Sequence, residues 1–270
     1  MIIPATRAPA VAGMFYPGSA AVLRDEVQQF MANAKAVVAG TPKALIVPHA
    51  GFVYSGPVAA SAYACLAAVR SSIRRVILLG PTHRVAIRGL ALPAAGAFDT
   101  PLGRVALDAE LEQMVLRLPQ VQQSAAVHAQ EHSLEVQLPF LQMVIDDFTL
   151  LPLAVGMVSA AEVAEVLDCI WGGRETLIVI SSDLSHYHPY AQAQQLDQET
   201  ARQIVALQPL ADHQQACGAT PVNGLLLCAR RRGMQAQLLD LRNSGDTAGD
   251  RSRVVGYGAF AFQENTAHEQ

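Results

Sequence analysis

The sequence predicts an α/β fold, a single-domain sandwich with a central largely parallel or mixed sheet flanked by helices. Three observations predict it. Short runs of Val, Ile and Leu recur along the chain, as expected of strands buried on both faces. Segments with apolar residues at helical spacing alternate with those runs from end to end. No repeat, low-complexity block or linker-like shift in composition interrupts the alternation. The expected organisation is therefore one domain over residues 1–263, with 264–270 as a flexible C-terminal tail.

Taken in order, Ser19 is placed to cap a helix running to about Asn33, with Val22, Val27, Phe30 and Met31 on one side. A strand at 44–47 follows, then a loop carrying His49, Gly51 and Gly56. Pro57 suits the first position of an alanine-rich helix ending near Arg70. A strand at 76–79 leads to His83, and residues 90–107 read as short strands and turns around Gly96, Pro101 and Gly103. Asp108 can cap a helix through Leu118. Residues 131–145 carry Leu134, Leu138, Leu141 and Ile145 at helical spacing, with Pro139 predicting a kink or a late start. Strands are expected at 148–155 and 177–180, with a helix at 160–170 between them. A Gln-rich helix at 190–207 and another at 221–232, headed by Thr220, come next. Strands at 236–241 and 254–262, joined by the polar loop 243–253, close the chain.

The 270 residues are 51% hydrophobic and 16% charged, a composition that folds around a substantial core and does not stay disordered. The net charge is −4, and Arg230-Arg231-Arg232 is the longest basic run. Nucleic-acid binding needs a clustered basic face, so no nucleic-acid partner is expected; the triple Arg suits a helix C-terminus. No apolar run approaches a membrane span, and the first residues do not read as a secretory signal. Cys65, Cys169, Cys217 and Cys228 lack C-x-x-C spacing, which fits free thiols and a cytoplasmic location.

Three of the apolar runs end in polar chemistry: 44–47 in Pro48-His49-Ala50-Gly51, 76–79 in Gly80-Pro81-Thr82-His83, and 177–180 in Ser181-Ser182-Asp183-Leu184-Ser185-His186. Ligands of open α/β sheets bind beyond the carboxyl ends of the strands, so these endings point to one crevice. A lone His in such a loop is usually structural. Two of them, on successive strands of one βαβ unit, favour a metal or acid/base site. Cys217, Asp183 and Glu131 are the candidates for a third ligand. Cys217 sits just ahead of a predicted helix N-terminus, a position that lowers a thiol pKa. The other three cysteines fall within predicted helices and read as inert thiols. Asp183 and His186, three apart, can pair if that turn is helical, which suits an acid/base beside a metal. Glu131 and His132 open a predicted helix. His128, His213 and His268 read as surface residues. The loop Ser244-Gly245-Asp246-Thr247-Ala248-Gly249-Asp250 lacks a P-loop lysine and reads as a turn or lid. No G-x-S-x-G elbow is present.

These segments resemble the Memo-like proteins, named from the animal mediator of cell motility and called AmmeMemoRadiSam system protein B in prokaryotes. The matching stretches are R-A-P-A-V-A-G-M-F-Y-P from Arg7, V-P-H-A-G-F-V-Y from Val47 and G-P-T-H from Gly80. E-H-S-L-E-V-Q-L-P-F from Glu131, S-S-D-L-S-H-Y from Ser181, Cys217-Gly218 and residues 244–260 complete the series. The resemblance implies a fold like that of the class III extradiol dioxygenases (LigB-like). It also implies a pocket in which His49, His83 and Cys217 are the metal ligands. His186, with Asp183 beside it, takes the acid/base place, and His132 and Glu131 line the pocket. Fe(II) is the expected metal. A thiolate is softer than a carboxylate, so Cu or Zn also suits the set, and ring-cleaving activity does not follow from the fold. The resemblance further implies a radical SAM pathway partner; the small-molecule substrate or ligand is not identified by it. The expected function is a metal-dependent redox enzyme. The alternatives are a non-catalytic metal- or ligand-binding module and a cysteine hydrolase using Cys217.

Overall fold

A computed structural model describes residues 6–34 and 40–264. In chain order the elements are β1 (Thr6–Arg7), α1 (Ala20–Asn33), β2 (Ala44–Val47), α2 (Phe52–Tyr63), β3 (Arg75–Pro81), β4 (Leu90–Leu92), β5 (Ala97–Thr100) and β6 (Gly103–Ala106). Then come α3 (Ala109–Val115), β7 (Val121–Gln123), α4 (Ala125–Ala129), α5 (Leu138–Val144), β8 (Thr149–Val155), α6 (Ala160–Cys169), β9 (Thr176–Ser181) and β10 (His186–His188). The last are α7 (Tyr190–Val205), α8 (Ala219–Arg231), β11 (Gln235–Asn243), α9 (Ser244–Thr247) and β12 (Val254–Gln263).

The fold is mixed α/β. A nine-stranded sheet runs β10-β12-β2-β9-β3-β8-β4-β7, with β11 paired to β12. Its centre, β2-β9-β3-β8, is parallel. β12 joins β2 antiparallel at one side, and β4 joins β8 antiparallel at the other. The sheet is thus mixed, with its parallel part in the middle. All of β2, and β3 from Val76 to Pro81, is buried, which is why these strands read as unbroken apolar runs. Alternate residues feed separate cores: Leu45 and Val47 pack with α1, α2 and α5, whereas Ala44 and Ile46 pack with α3, α6 and α8. A three-stranded sheet, β1-β5-β6, lies apart.

Several expected boundaries shift. α2 begins at Phe52, so Pro57 lies inside it rather than at its start. The helix starts right after the His49 loop, where the Tyr54 and Ser55 N–H groups both bond the Gly51 carbonyl. The helix expected from Glu131 is a turn and a short 3₁₀ segment, Glu135–Gln137. The α-helix begins at Leu138, with Pro139 in its first turn, as a proline that lacks an N–H requires. The segment after Asp183 is extended into β10 rather than helical. α3 stops at Val115, its Asp108 side chain capping the Leu111 N–H. The polar loop after Asn243 holds the short helix α9. Residues 265–270, most of the expected tail, lie outside the described residues, as does His268. Among the described residues no helix is long and apolar enough to cross a membrane.

Candidate metal centre

The parallel strands β2, β9 and β3 are neighbours, so His49, Asp183 and His83 emerge at the same end of the sheet. Each is then fixed by a specific contact. The His49 N–H donates to Asp183 Oδ1 at 2.7 Å, which ties the β2 exit loop to the β9 exit loop. His49 Nδ1 lies 2.9 Å from Ser181 Oγ. That hydroxyl donates its only proton to the Ser133 carbonyl, at 2.6 Å. Toward His49 it can therefore only accept, so Nδ1 carries the proton and Nε2 keeps its lone pair. Gln137 Nε2 donates to the same hydroxyl and to the Pro48 carbonyl, bracing the loop from α5's side.

His83 is set the same way. Its Nδ1 lies 2.9 Å from Glu131 Oε1, and its backbone N–H donates to Glu131 Oε2 at 2.6 Å. A carboxylate accepts, so Nδ1 is the donor and Nε2 takes no part in that contact. Burial raises the Glu131 carboxyl, but bonds and charge from His83, with the N–H groups of Ser133 and His83, bring it down to about 2. Gly80 gives room for this: a Cβ there would come within 2.8 Å of Ser133 Oγ.

His132 follows Glu131 and completes a set of three. One ring nitrogen each from His49, His83 and His132 lie within 4.8 Å of one another. The His83 and His132 rings stack at 4.6 Å between centroids, and Phe15 covers His132 at 4.7 Å. Cys217 Sγ lies 3.4 Å from His49 Nε2 and receives the Asp183 N–H at 3.3 Å. The next residue must be small, since a Cβ on Gly218 would come within 2.7 Å of Ser182. Burial, then the charge of His83, pushes the His49 imidazole down to about 3. Burial, then the charge of His49, pushes His132 down to about 4. Both are neutral near pH 7, the form that binds metal.

Two expectations about charge are corrected. Cys217 precedes α8, yet its thiol is pushed up to about 12, by burial first and then by Asp183. Loss of water outweighs the helix terminus. Asp183 does not pair with His186 in a helical turn: its carboxylate takes the His49 N–H, and burial raises its pKa. His186 lies in β10 beside β12, near enough for its charge to act on His49 and Asp183. His128 is no surface residue. It is 2% exposed, with Nε2 at 2.8 Å from the Ala91 carbonyl. His213 is exposed beside the Cys217 carbonyl. Cys65 is partly buried, Cys169 exposed and Cys228 buried, all free. The orienting residues Ser133, Gln137 and Ser181 were not singled out from the sequence. Hydroxyl and amide side chains carry no spacing signal of their own.

Two donors on one ion, each about 2.0–2.3 Å from it, stand at most ~4.6 Å apart. The His49–Cys217 separation is inside that limit, and the histidine set, within 4.8 Å, needs a small inward shift to meet it. Neutral imidazoles with fixed Nδ1 partners and a thiol beside them suit a transition metal or zinc.

Fold and site together define a mixed α/β protein with a histidine cluster, compatible with metal binding, at the carboxyl ends of its central strands. The chain belongs to the Memo-like protein family, whose match covers residues 7–261. Among similar proteins, a MEMO1 family protein of Methanopyrus kandleri is 34% identical, over 95% of this chain and 99% of that one. A MEMO1 family protein of Aquifex aeolicus is 35% identical, over 95% and 98%. One from Saccharolobus solfataricus is 34% identical, over 95% and 99%.

Proposed function

We propose that the protein is a metal-dependent redox protein, with His49, His83 and Cys217 as ligands and His132 beside them. One observation carries the reading. Fixed bonds at Nδ1 of both His49 and His83 leave Nε2 outside the orienting contact, and Cys217 Sγ stands 3.4 Å from the first of these Nε2 atoms. Two imidazoles at the ends of β2 and β3, with a cysteine from the loop before α8, resemble the two-His-one-carboxylate arrangement of non-haem iron, the cysteine standing in the carboxylate's place. Fe(II) is the metal we propose; Cu and Zn are the alternatives a thiolate favours. The class III extradiol fold likeness belongs to the same proposal.

Bound iron would supply an electron-rich centre open to substrate and dioxygen. The protein's residues supply the rest. Glu131 and Ser181 orient the two imidazoles, as carboxylates and hydroxyls behind metal ligands do. Metal binding requires the Cys217 thiol to lose its proton, which a coordinating cation brings about. In this reading His186 and Asp183 would move the proton.

The cysteine-hydrolase reading has less support. An activated nucleophile needs a lowered thiol or a ready base. Here both members of the Cys217–His49 pair are driven toward their neutral forms.

Elemental analysis of anaerobically purified protein, wild type beside His49→Ala and Cys217→Ser, tests the proposal. Near-stoichiometric iron in the wild type and its loss in both variants is the expected result. Copper in its place points to a carrier or a copper redox role. Full occupancy in His49→Ala, or none in the wild type after reconstitution, overturns the metal reading. Metal without turnover under any redox condition supports the binding module instead.

A further inference from the structure

Of the three proposed ligands, Cys217 alone stands away from a strand end. His49 and His83 follow β2 and β3 directly, whereas Cys217 lies near the end of the loop 206–218 between α7 and α8. A side chain on a loop is presented to a metal only as firmly as its backbone is held. The partners of the Cys217 peptide groups therefore matter to the centre.

On one side the hold comes from the exit of β9. The Cys217 N–H donates to the Asp183 carbonyl at 3.2 Å, and the Asp183 N–H donates to Cys217 Sγ at 3.3 Å. The Gly218 N–H donates to Ser182 Oγ at 2.9 Å. The Cys217 carbonyl needs a separate partner, and α8 does not supply it. The residue four positions on is Pro221, which has no N–H. No other backbone N–H bonds this carbonyl among the described residues. His213 does so from its side chain: Nδ1 lies 3.0 Å from the Cys217 oxygen, and a carbonyl only accepts, so Nδ1 carries the proton. The same ring reaches on to the first turn of α8, with Nε2 at 3.2 Å from Thr220 Oγ1. Both ring nitrogens of an exposed histidine are thus engaged, one of them on the peptide of a proposed ligand.

The rest of the loop is tied down without His213. Leu210 exchanges two bonds with the Asn223 side chain, at 2.8 and 2.9 Å, and Gln215 Nε2 donates to Gln203 Oε1 at 2.8 Å. Removing the imidazole should therefore release the Cys217 carbonyl while the loop keeps its place.

We propose that His213 is a positioning residue of the metal centre, holding the Cys217 peptide so that Sγ stands beside His49 Nε2. It acts through Cys217 and does not itself touch the metal. The proposal rests on the metal reading above, with Cys217 as one of the ligands.

The test uses the full chain loaded with Co(II). Wild type, His213→Ala and His213→Asn are compared for Co(II) affinity, for the thiolate-to-cobalt charge-transfer band per bound cobalt, and for the thermal midpoint of the metal-free protein. Asn offers a side-chain N–H in the place of Nδ1. The expected result is Co(II) binding about fivefold weaker in His213→Ala, the worth of one net hydrogen bond, with a diminished band. His213→Asn should restore both, and the metal-free midpoint should be the same in all three proteins. Equal affinity and band in His213→Ala and wild type overturn the proposal. So does a His213→Asn protein no better than His213→Ala, because the contact would then not run through Nδ1. A lowered metal-free midpoint in His213→Ala also overturns it, since the role would be structural. These three outcomes leave the metal reading intact. Cobalt-loaded wild type without the band, or Cys217→Ser binding Co(II) as tightly as wild type, removes Cys217 from the ligand set and this proposal with it. Failure of wild type to bind Co(II), Fe(II), Cu or Zn removes the metal reading and this proposal together.

Discussion

Glu131 and Glu135 stand four residues apart in one turn, and both are buried, at 1% and 0% exposure. Each gathers backbone N–H groups and a basic side chain. Glu135 takes the Ala10 and Val11 N–H groups, the Tyr16 hydroxyl and the Arg7 guanidinium. Arg7 also donates to the carbonyls of Ala8, His128 and Glu131. Every group in that cluster is turned inward on another. Glu131 takes the N–H groups of His83 and Ser133 and one nitrogen of the His83 ring, and the ring's other nitrogen makes no hydrogen bond among the described residues. Burial and charge are alike in the two clusters. What separates a clasp from a site is whether the partner of the buried carboxylate keeps a free coordinating atom.

The largest expected effect breaks the clasp. Arg7→Ala leaves Glu135 charged and unpaired in the core, which should cost about 3–5 kcal/mol of unfolding free energy. Urea unfolding checks it, and a loss below 1 kcal/mol would show that the N-terminal segment is not pinned by this pair. Next comes the orienting carboxylate. Glu131→Gln should weaken metal binding about 10–100-fold, the usual cost of losing such a partner. Competition with a chelator of known affinity measures it. An equal loss in Glu135→Gln would erase the distinction between the two clusters.

A third buried carboxyl sharpens the comparison. Asp197 on α7 is 2% exposed and accepts the Ser185 N–H, and among the described residues no Lys or Arg forms an ion pair with it, only the charge of His188 acting to lower it. Burial raises it to about 6. The unfolded carboxyl titrates near 4, so between those values the folded state holds the extra proton. Stability should therefore fall as pH rises through that window and stay lowered above it. Asp197→Asn removes the penalty while keeping an acceptor for Ser185. The variant should gain on the order of 1–2 kcal/mol at pH 7 and converge with wild type below about pH 4. Parallel curves at all pH values would mean that Asp197 is ionised without penalty.

Most of the fold was legible because the central strands are buried on both faces, and such strands leave runs such as Val76-Ile77-Leu78-Leu79 that nothing else explains. The gathering of His49, Asp183 and His83 at one end of the sheet was legible for the same reason, since each run points at the residues after it. What failed was local chemistry that depends on distant contacts. The helix terminus promised a low Cys217 pKa, and burial among Asp183, Ser182 and His49 reversed it. The spacing of Asp183 and His186 allowed a helical pair, and pairing of β10 with β12 drew the chain out straight. The expected parallel or mixed sheet is found, but which strands run antiparallel was not legible, because a strand as short as β4 carries no signal of its direction.

The smallest predicted effect bears on which residues form the ligand set. Phe15 lies on the N-terminal segment that Glu135 holds, and its ring rests on His132 at 4.7 Å and 45°. The clasp thus reaches the site through one aromatic contact. Phe15→Leu keeps an apolar cover and removes the ring pair, so stability should fall by about 0.5–1.5 kcal/mol. If His49, His83 and Cys217 are the ligands, His132 is a neighbour whose orientation matters little. Metal affinity should then change by less than about threefold, under 1 kcal/mol. A tenfold or greater loss, beside an equally large loss in His132→Asn, would place His132 among the ligands. The three-histidine set within 4.8 Å would then be the centre itself, with Cys217 Sγ beside it.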